Sequence, residues 1–554
     1  VTPKLDQDLL DVSYSYGSFN THQFALVSQV STDNGYFLRT SGYVNSSDNN
    51  YTVSSVPSTD ELGNVTGSIS TERFNDEYES KMLSLKLGRI NFEWADELSL
   101  NFTVGNNKDN QQHPSTSTNI VFGEVYTTND TALLSGLYKK RFDDISIKSY
   151  ILSGKIKESF YDTASKSYDW TGEYYEKSTP SQGEYGALSI FHMTDTVLRF
   201  NTSADIYFDS GSNFSLNISG NQLNRDGEDE IDTVNINFTL PNAVYKTVAG
   251  LNYSSVFFNE RLRSNVFVKH YDYRAEIGSV EEIDGTLQDN NARSNLSNSG
   301  YGVGVNYSLT SLTDMKLSYE KSFRFPEPDE ILGSGLYIRA NPELNEESSR
   351  NYNIGLTSKI INSDYYIRNE INVFYRNAAD FISYIPDRVI SGIYKNTNRV
   401  DITGVEVAFS FDLGSAFNFK VNATYQDLID LTKYLDNGNL NSGFNERLPN
   451  EPYFYGNSQF SYTYITSQYN KLTSSFTSNY VEQYFLNSDD SGSEDTRRDI
   501  PEQLSHDVGI EYSFNHGAYN LSINISNITD EDIYDNYNIQ KPGRAYYLKF
   551  RYVQ

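Results

Sequence analysis

Cysteine is absent from this 554-residue chain, so neither a disulfide framework nor a thiolate metal site can be built from it. Methionine is nearly absent as well; three residues are too few for the soft thioether clusters that suit copper. Positive charge is scarce: 44 Lys and Arg face 73 Asp and Glu, a formal net charge of -29, which excludes wrapping of nucleic acid because phosphate binding needs clustered cations. No stretch approaches the ~20 consecutive apolar residues of a transmembrane helix, and no secretory signal pattern opens the chain. Nor does any Pro- or Ser-rich linker or shift in composition divide it, so it reads as one architecture. A Gly-x-Ser-x-Gly elbow, a P-loop and a His-Glu-x-x-His are all missing, and nothing in the pattern asks for catalysis.

What is present is aromatic and alternating. Tyr (45) and Phe (32) are abundant, which fits many strands better than a Leu-rich helical protein. Leu98, Leu100, Phe102 and Val104 interleave with Ser99, Asn101 and Thr103, and Val234, Ile236, Phe238 and Leu240 interleave with Asn235, Asn237 and Thr239. At the end of the chain Tyr546, Leu548, Phe550 and Tyr552 alternate with Tyr547, Lys549 and Arg551. Period two means strands with one apolar and one wet face. Such strands suit a soluble sandwich, whose apolar faces look inward, or a membrane barrel, whose apolar faces look out at lipid; a barrel strand needs only ~10 residues and escapes hydropathy scans.

Turn spacing favours the barrel. Short turns are expected at 33–35, 94–96, 142–144, 209–211, 259–261, 312–314, 362–364, 413–415, 467–469 and 515–517. Successive turns lie roughly 50 residues apart, room for two strands and one larger loop. Long polar segments fall between them at 45–80, 106–118, 156–185, 274–300, 326–350, 430–452 and 484–503. Short turns at one end and long loops at the other characterise outer-membrane barrels, with turns periplasmic and loops extracellular. Ten such turns, with both termini on the turn side, predict an all-β, transmembrane antiparallel β-barrel of about 22 strands, wide enough to need a plug.

Three stretches carry a family resemblance. The end, with Asn527, Asp530, Pro542, Gly543 and Arg544, resembles the C-terminal pattern of TonB-dependent outer-membrane receptors, in which an Asn-Leu-x-Asp turn and Pro-Gly-Arg precede a last strand. "FRFPEPDEIL" and "NPEL", with Phe323, Pro326, Asn341 and Pro342, are similar to that family's Phe-Arg-Ala-Pro and Asn-Pro-x-Leu boxes. Gly404-Val405-Glu406 resembles its Gly-Val-Glu strand. The resemblance covers the C-terminal 240 residues or so, and all these positions are structural in it. It implies that residues 1–554 are the barrel domain, with Val1 to Lys4 at the junction to an N-terminal plug, the plug, TonB box and signal peptide lying outside the chain. It further implies that Tyr546, Leu548, Phe550 and Tyr552 face lipid on the strand that closes the barrel. In family members the last strand usually ends on an aromatic residue; here Gln554 follows Tyr552 and Val553.

The resemblance implies an import receptor of a Gram-negative outer membrane, neighboured by lipid and lipopolysaccharide, its own plug and the TonB complex, making and breaking no bond. Tyr337 and Arg339, between the two boxes, are candidate ligand contacts together with Arg324, as an aromatic platform and donors to an anionic metal chelate. The alternative for the box residues is a structural one, since Pro and Asn form turns. Related haem receptors place a His between the boxes; this chain has none there, and His22, His113, His192, His270, His506 and His516 show no paired ligand spacing. Barrel length resembles that of siderophore receptors, so a ferric siderophore is the leading ligand, with vitamin B12 or an oligosaccharide as alternatives. A passive channel or adhesin barrel, and a secreted carbohydrate-binding β-protein, are the competing classes. No resident metal or cofactor is expected beyond loop-bound Ca²⁺, for which the acidic runs 225–232, 279–284 and 487–495 are candidates, solvated loops being their other reading.

Overall fold

A computed structural model describes all residues except 1–4, 60–63, 115–117, 178, 180–181, 209–210, 232–241, 284–285, 336, 387–390, 435–437, 467–469 and 487–497. Of residues 59, 279–283, 286–290, 386 and 398 it describes the backbone alone. The junction at Val1 to Lys4, the expected strand at Val234 to Leu240, the turn at 467–469 and the acidic run at 487–495 therefore lie outside the described residues.

The wall is a closed antiparallel barrel of 22 strands. Its first half comprises Leu9–Gly17, Thr21–Ser31, Tyr36–Ser47, Tyr78–Phe92, Ala95–Asn110, Tyr126–Arg141, Ile145–Asp162, Ser189–Tyr207, Asn213–Asp229, Asn242–Phe257 and Leu262–Ile283. Thr286–Thr310, Thr313–Arg324, Glu347–Ile361, Tyr365–Pro386, Gly392–Leu413, Phe417–Asp430, Phe454–Ile465, Lys471–Val481, Gln503–Phe514, Tyr519–Ser526 and Ala545–Val553 complete it. Each expected turn falls at the junction of two strands that pair as a hairpin, including Tyr207↔Asn213 and Ile465↔Lys471 around the two turns not fully described. Closure comes from the last strand, which pairs with the first from Asp11↔Val553 to Gly17↔Tyr547. The only α-helix among the described residues is Pro328–Leu332, and none is long and apolar enough to cross a membrane.

Alternation decides which face is which. Leu98, Leu100 and Phe102 point outward and are 37%, 50% and 47% exposed, as are Tyr546, Leu548 and Phe550 at 52%, 52% and 46%. The inward positions between them form hydrogen-bonded polar rows: Ser84 Oγ donates to Asn101 Oδ1 at 2.8 Å, and Ser84 and Thr103 hydroxyls lie 3.0 Å apart. At the seam Arg551 reaches Asp11 with its Nε at 2.8 Å. A continuous exposed apolar belt over a polar interior is stable only where lipid replaces water outside. Phe102→Arg should then cost ~2–4 kcal/mol of assembled stability if the residue lies near the bilayer midplane. Denaturant titration of the reconstituted barrel measures this, and an unaltered midpoint would place Phe102 away from the hydrocarbon.

One expected loop is not a loop. Residues 274–283 and 286–300 belong to the strands Leu262–Ile283 and Thr286–Thr310, which stay paired as far as Ile283↔Thr286. Beyond the apolar belt the outward face need not be apolar, and here Ala275, Ile277 and Leu296 turn inward onto the lumenal core, so the Ser- and Asn-rich remainder reads as loop although the ladder continues. The segment 156–185 is shortened for the same reason, its wall strand running on to Asp162, and 45–80 contains its own hairpin, Thr52–Thr59 with Val65–Glu72.

Glycine and turn chemistry fix two of the family-like patterns. A Cβ on Gly404 would stand 2.2 Å from the Phe374 ring, which lies over it inside the wall. Asn527, at φ 47°, accepts the Glu531 N–H at 2.9 Å and donates to the Glu531 carbonyl at 2.7 Å. Asp530 accepts the Arg544 N–H at 2.7 Å, and a Cβ on Gly543 would stand 2.6 Å from the same carboxylate. Pro542 is exposed beside it. These residues clasp the loop that delivers the closing strand. Glu406 is exposed to the lumen, where Asn372 donates to it at 3.0 Å.

Candidate ligand-binding mouth

Between the strands Thr313–Arg324 and Glu347–Ile361 the chain turns into the lumen. Pro326 and Pro328 stop the strand and start the short helix Pro328–Leu332, where the Glu327 N–H donates to the Glu330 carboxylate at 2.7 Å, half of a capping box. Gly333, at φ 76°, ends the helix. Ile338–Arg339 then pairs in parallel with Gly392 and Ile393, and Asn341 Nδ2 donates to the Tyr394 carbonyl at 2.7 Å. Phe325, Ile331, Leu332 and Leu344 are 2% exposed or less. Phe325, Ile331 and Leu332 pack on inward residues of the wall, including Phe191, Val197, Leu223, Val244 and Tyr273, and so build an apolar core inside one side of the barrel mouth.

Ion pairs fasten this segment. Arg324 grips Glu330 with both terminal nitrogens at 2.9 Å, with Glu347 3.6 Å from its Nε. Glu347, 2% exposed, is also held by Arg376. Arg225, 3% exposed, donates to both oxygens of Asp195 at 2.8 Å, to Asp329 at 2.8 Å and to the Gly333 carbonyl at 2.6 Å. Lys246 reaches Glu327 at 3.2 Å. Of the three candidate contacts, Arg324 thus has its guanidinium committed to carboxylates of its own neighbourhood.

Tyr337 and Arg339 lie half-buried at the upper edge of this core. The Tyr337 hydroxyl donates to Gln111 Oε1 at 3.2 Å, and its ring stands 5.3 Å from Tyr185 and 6.2 Å from Phe160, centroid to centroid. Phe122 adds a ring 4.6 Å from Tyr185. Burial pushes Tyr337 up to about 12 and raises Tyr185 also, so both keep their phenolic protons at neutral pH. Farther out Trp170 donates to the Thr118 carbonyl at 2.9 Å and its ring stands tilted 5.8 Å from that of His113, which burial pushes down to about 4 and keeps neutral. Among the described residues the mouth is therefore aromatic and rich in hydroxyl and amide donors, with Arg324, Arg225 and Arg376 committed to carboxylates.

Phe160, Gln111, Tyr185 and Arg225 come from segments far apart in the chain, and no local spacing marks them. Aromatic residues inside otherwise polar segments, such as Trp170 and Tyr185, were the available signal. Two carboxylates tie these loops together. Glu184 accepts the N–H groups of Gly123 and Glu124 at 2.7 and 2.9 Å, and Asp162 accepts those of Glu184 and Tyr185 at 2.7 and 2.6 Å. Burial pushes Glu184 up to about 7 against the lowering effect of its backbone donors. A carboxyl raised in the folded state contributes stability that is fully present below its unfolded value of ~4.3 and lost as pH rises through about 7. Proteolysis of the mouth loops should accordingly increase over that window, and Glu184→Gln should flatten the slope; an unchanged profile would remove Glu184 as its source.

The described part of the acidic run 225–232 does not converge. Arg225 points to Asp195, Asp229 accepts from Ser189 at 2.6 Å, and Glu230 meets His192 at 2.8 Å, whose other ring nitrogen is 2.8 Å from Ser159. The side chains of 279–284 and all of 487–495 are outside the described residues. Among the described residues no group of three or more His, Cys, Asp or Glu is placed to hold a metal ion.

A closed barrel with short turns at one end, and at the other long loops of which one folds back into the lumen, defines a receptor-type membrane β-barrel. Residues 14–528 match the family described as TonB dependent receptor-like, beta-barrel, and the chain belongs to that family of transport receptors. No curated protein matches the sequence. Among solved structures it is similar to the FrpB iron transporter from Neisseria meningitidis (F3-3 variant), at 12% identity and TM-score 0.72 over 99% of this chain and 82% of that one. The siderophore receptor PiuA from Acinetobacter baumannii gives 14% identity, TM-score 0.71 and the same coverage. The copper transporter OprC gives 12% and 0.74 over 100% of this chain and 82% of that one. At these identities the likeness is one of fold.

Proposed function

We propose that this chain is the barrel of an outer-membrane import receptor in a Gram-negative bacterium, gated by ligand, energised through the TonB complex and working with a plug domain in its lumen. Residues 1–554 constitute the barrel domain, long loops outside. The leading ligand is a ferric siderophore, in keeping with the iron and siderophore receptors among its structural neighbours. The observation that carries the reading is the aromatic mouth around Tyr337, Tyr185 and Phe160, closed below by the infolded segment. Because Arg324, Arg225 and Arg376 hold carboxylates, the mouth suits a chelate of low net charge, recognised by stacking and hydrogen bonds, better than a polyanion. Arg339 supplies cationic character at the rim. Copper is disfavoured by the three methionines.

Replacing Tyr337 and Arg339 together with Ala should weaken binding of the cognate ferric chelate at least tenfold, equivalent to ~1.4 kcal/mol, while the barrel still assembles. Titration of purified receptor, with Glu406→Ala on the lumenal wall as control, reads the effect. Unchanged affinity would leave the infolded segment with a structural role only.

A further inference from the structure

Arg225, Arg324 and Arg376 each hold a carboxylate at the mouth, but not every carboxylate there is held in return. Two on the inner wall remain unpaired beside Tyr337. Asp109 lies on the same face of its strand as Gln111, which accepts the Tyr337 hydroxyl, and Glu158 on the same face as Phe160, whose ring stands edge to face with that of Tyr337. Asp109↔Thr127 and Thr127↔Phe160 form one register row, and Glu158, between Asn129 and Met193, is one inward position deeper. Both are half-buried.

Among the described residues neither carboxylate accepts a hydrogen bond or comes within ion-pair distance of a cation. The cations whose charge reaches them are already held: Arg73, near Asp109, by Asp76 at 2.9 Å, and Arg225, near Glu158, by Asp195 and Asp329. Both carboxylates act on the aromatic mouth, because burial, and with it the charges of Glu158 and Asp109, keeps the Tyr337 phenol above its ordinary value. A carboxylate drawn partly out of water without a counter-charge is costly. The rings of Tyr337, Tyr185, Phe160 and Phe122 beside them present negative faces, which attract cations as well. Wall and rings thus ask for the same complement.

We propose that the mouth takes a chelate bearing a protonated amine, with Glu158 and Asp109 supplying its counter-charge while the body of the chelate stacks on Tyr337 and Tyr185. An ammonium gains charge-assisted hydrogen bonds there, whereas an acylated amine of nearly the same shape leaves both carboxylates unpaired. The pair therefore sets specificity, by penalising the uncharged analogue. The inference rests on the reading that the mouth binds a ferric chelate, and it narrows that reading to ligands of one charge pattern.

Equilibrium titration of the purified full-length receptor tests it, with matched ferric hydroxamates and matched ferric catecholates whose members differ only in a free or an N-acetylated primary amine. In at least one pair the free amine is expected to bind at least tenfold more tightly, and Asp109→Asn/Glu158→Gln should bring that ratio to about one by weakening the amine alone. Because the ratio is read within one preparation, incomplete folding of the variant does not disguise it. Asp109→Glu/Glu158→Asp, which keeps both charges, should retain a preference for the amine. Equal binding of both members of every pair by the unaltered receptor, or a ratio that survives the Asn/Gln variant, would overturn the inference and leave the proposed function standing. Equal weakening of both members in that variant would give the carboxylates a structural role and overturn it too. Failure of every ferric chelate in both series to bind would strike the proposed function itself, and the inference with it.

Discussion

A chain lacking residues 545–554 is expected not to assemble. The closing strand Ala545–Val553 pairs on one side with Leu9–Gly17 and on the other with Tyr519–Ser526, so its removal opens two edges at once. In hydrocarbon there is no water to satisfy the freed N–H and C=O groups, and each left unpaired costs several kcal/mol. Side-chain loss at the same seam should be mild. Arg551→Ala removes a half-exposed ion pair with Asp11, worth about 0–1 kcal/mol. Electrophoretic heat-modifiability after refolding into lipid separates the cases: the deletion should give no compact species and Arg551→Ala a normal one. A compact, heat-modifiable barrel from the deleted chain would contradict closure by this strand.

Arg225→Met should release the infolded segment. Arg225 is 3% exposed and satisfies Asp195, itself 14% exposed, while also holding Asp329 and the Gly333 carbonyl at the end of the short helix. Removing one partner of a buried pair leaves an uncompensated charge, at ~3–5 kcal/mol, and here that cost falls on the contact between segment and wall. Hydrogen exchange across residues 325–346 should accelerate, whereas the barrel strands keep their protection. Adding Asp195→Asn should restore part of the protection, because the stranded carboxylate is then gone. If exchange in the segment is unchanged by Arg225→Met, the apolar core of Phe325, Ile331 and Leu332 is sufficient to hold it.

How much of this was legible follows from where lipid imposes a rule. Within the belt every outward position must be apolar and every hairpin must turn in a few residues, so Phe102, Leu548 and the Asn515-His516-Gly517 turn announce themselves, and the strand count follows from the turns. Above the belt the rule lapses. The hairpin through Ser294 and Asn298 turns its apolar residues, Ala275, Ile277 and Leu296, inward onto the lumenal core and shows polar residues outside, and it read as loop. Inside the mouth the rule reverses: Phe191, Val197 and Val244 face inward because the infolded segment covers them. No periodicity could show that covering. The candidate site divides in the same way, since Tyr337 and Arg339 were marked by the boxes around them, while Tyr185, Phe160 and Gln111 reach the same place through long-range packing alone.

The central claim is import through this barrel, and ligand-dependent uptake tests it most directly. Iron-starved cells of a Gram-negative host without other siderophore receptors would express the full-length receptor and be offered a panel of ferric siderophores, cobalamin and oligosaccharides. Accumulation of iron from at least one ferric siderophore, abolished when the TonB complex is disabled and reduced at least tenfold by Tyr337→Ala/Arg339→Ala, is the result expected. Uptake that persists without the TonB complex would make the protein a passive channel, and accumulation of cobalamin or an oligosaccharide with no ferric chelate taken up would contradict the siderophore assignment.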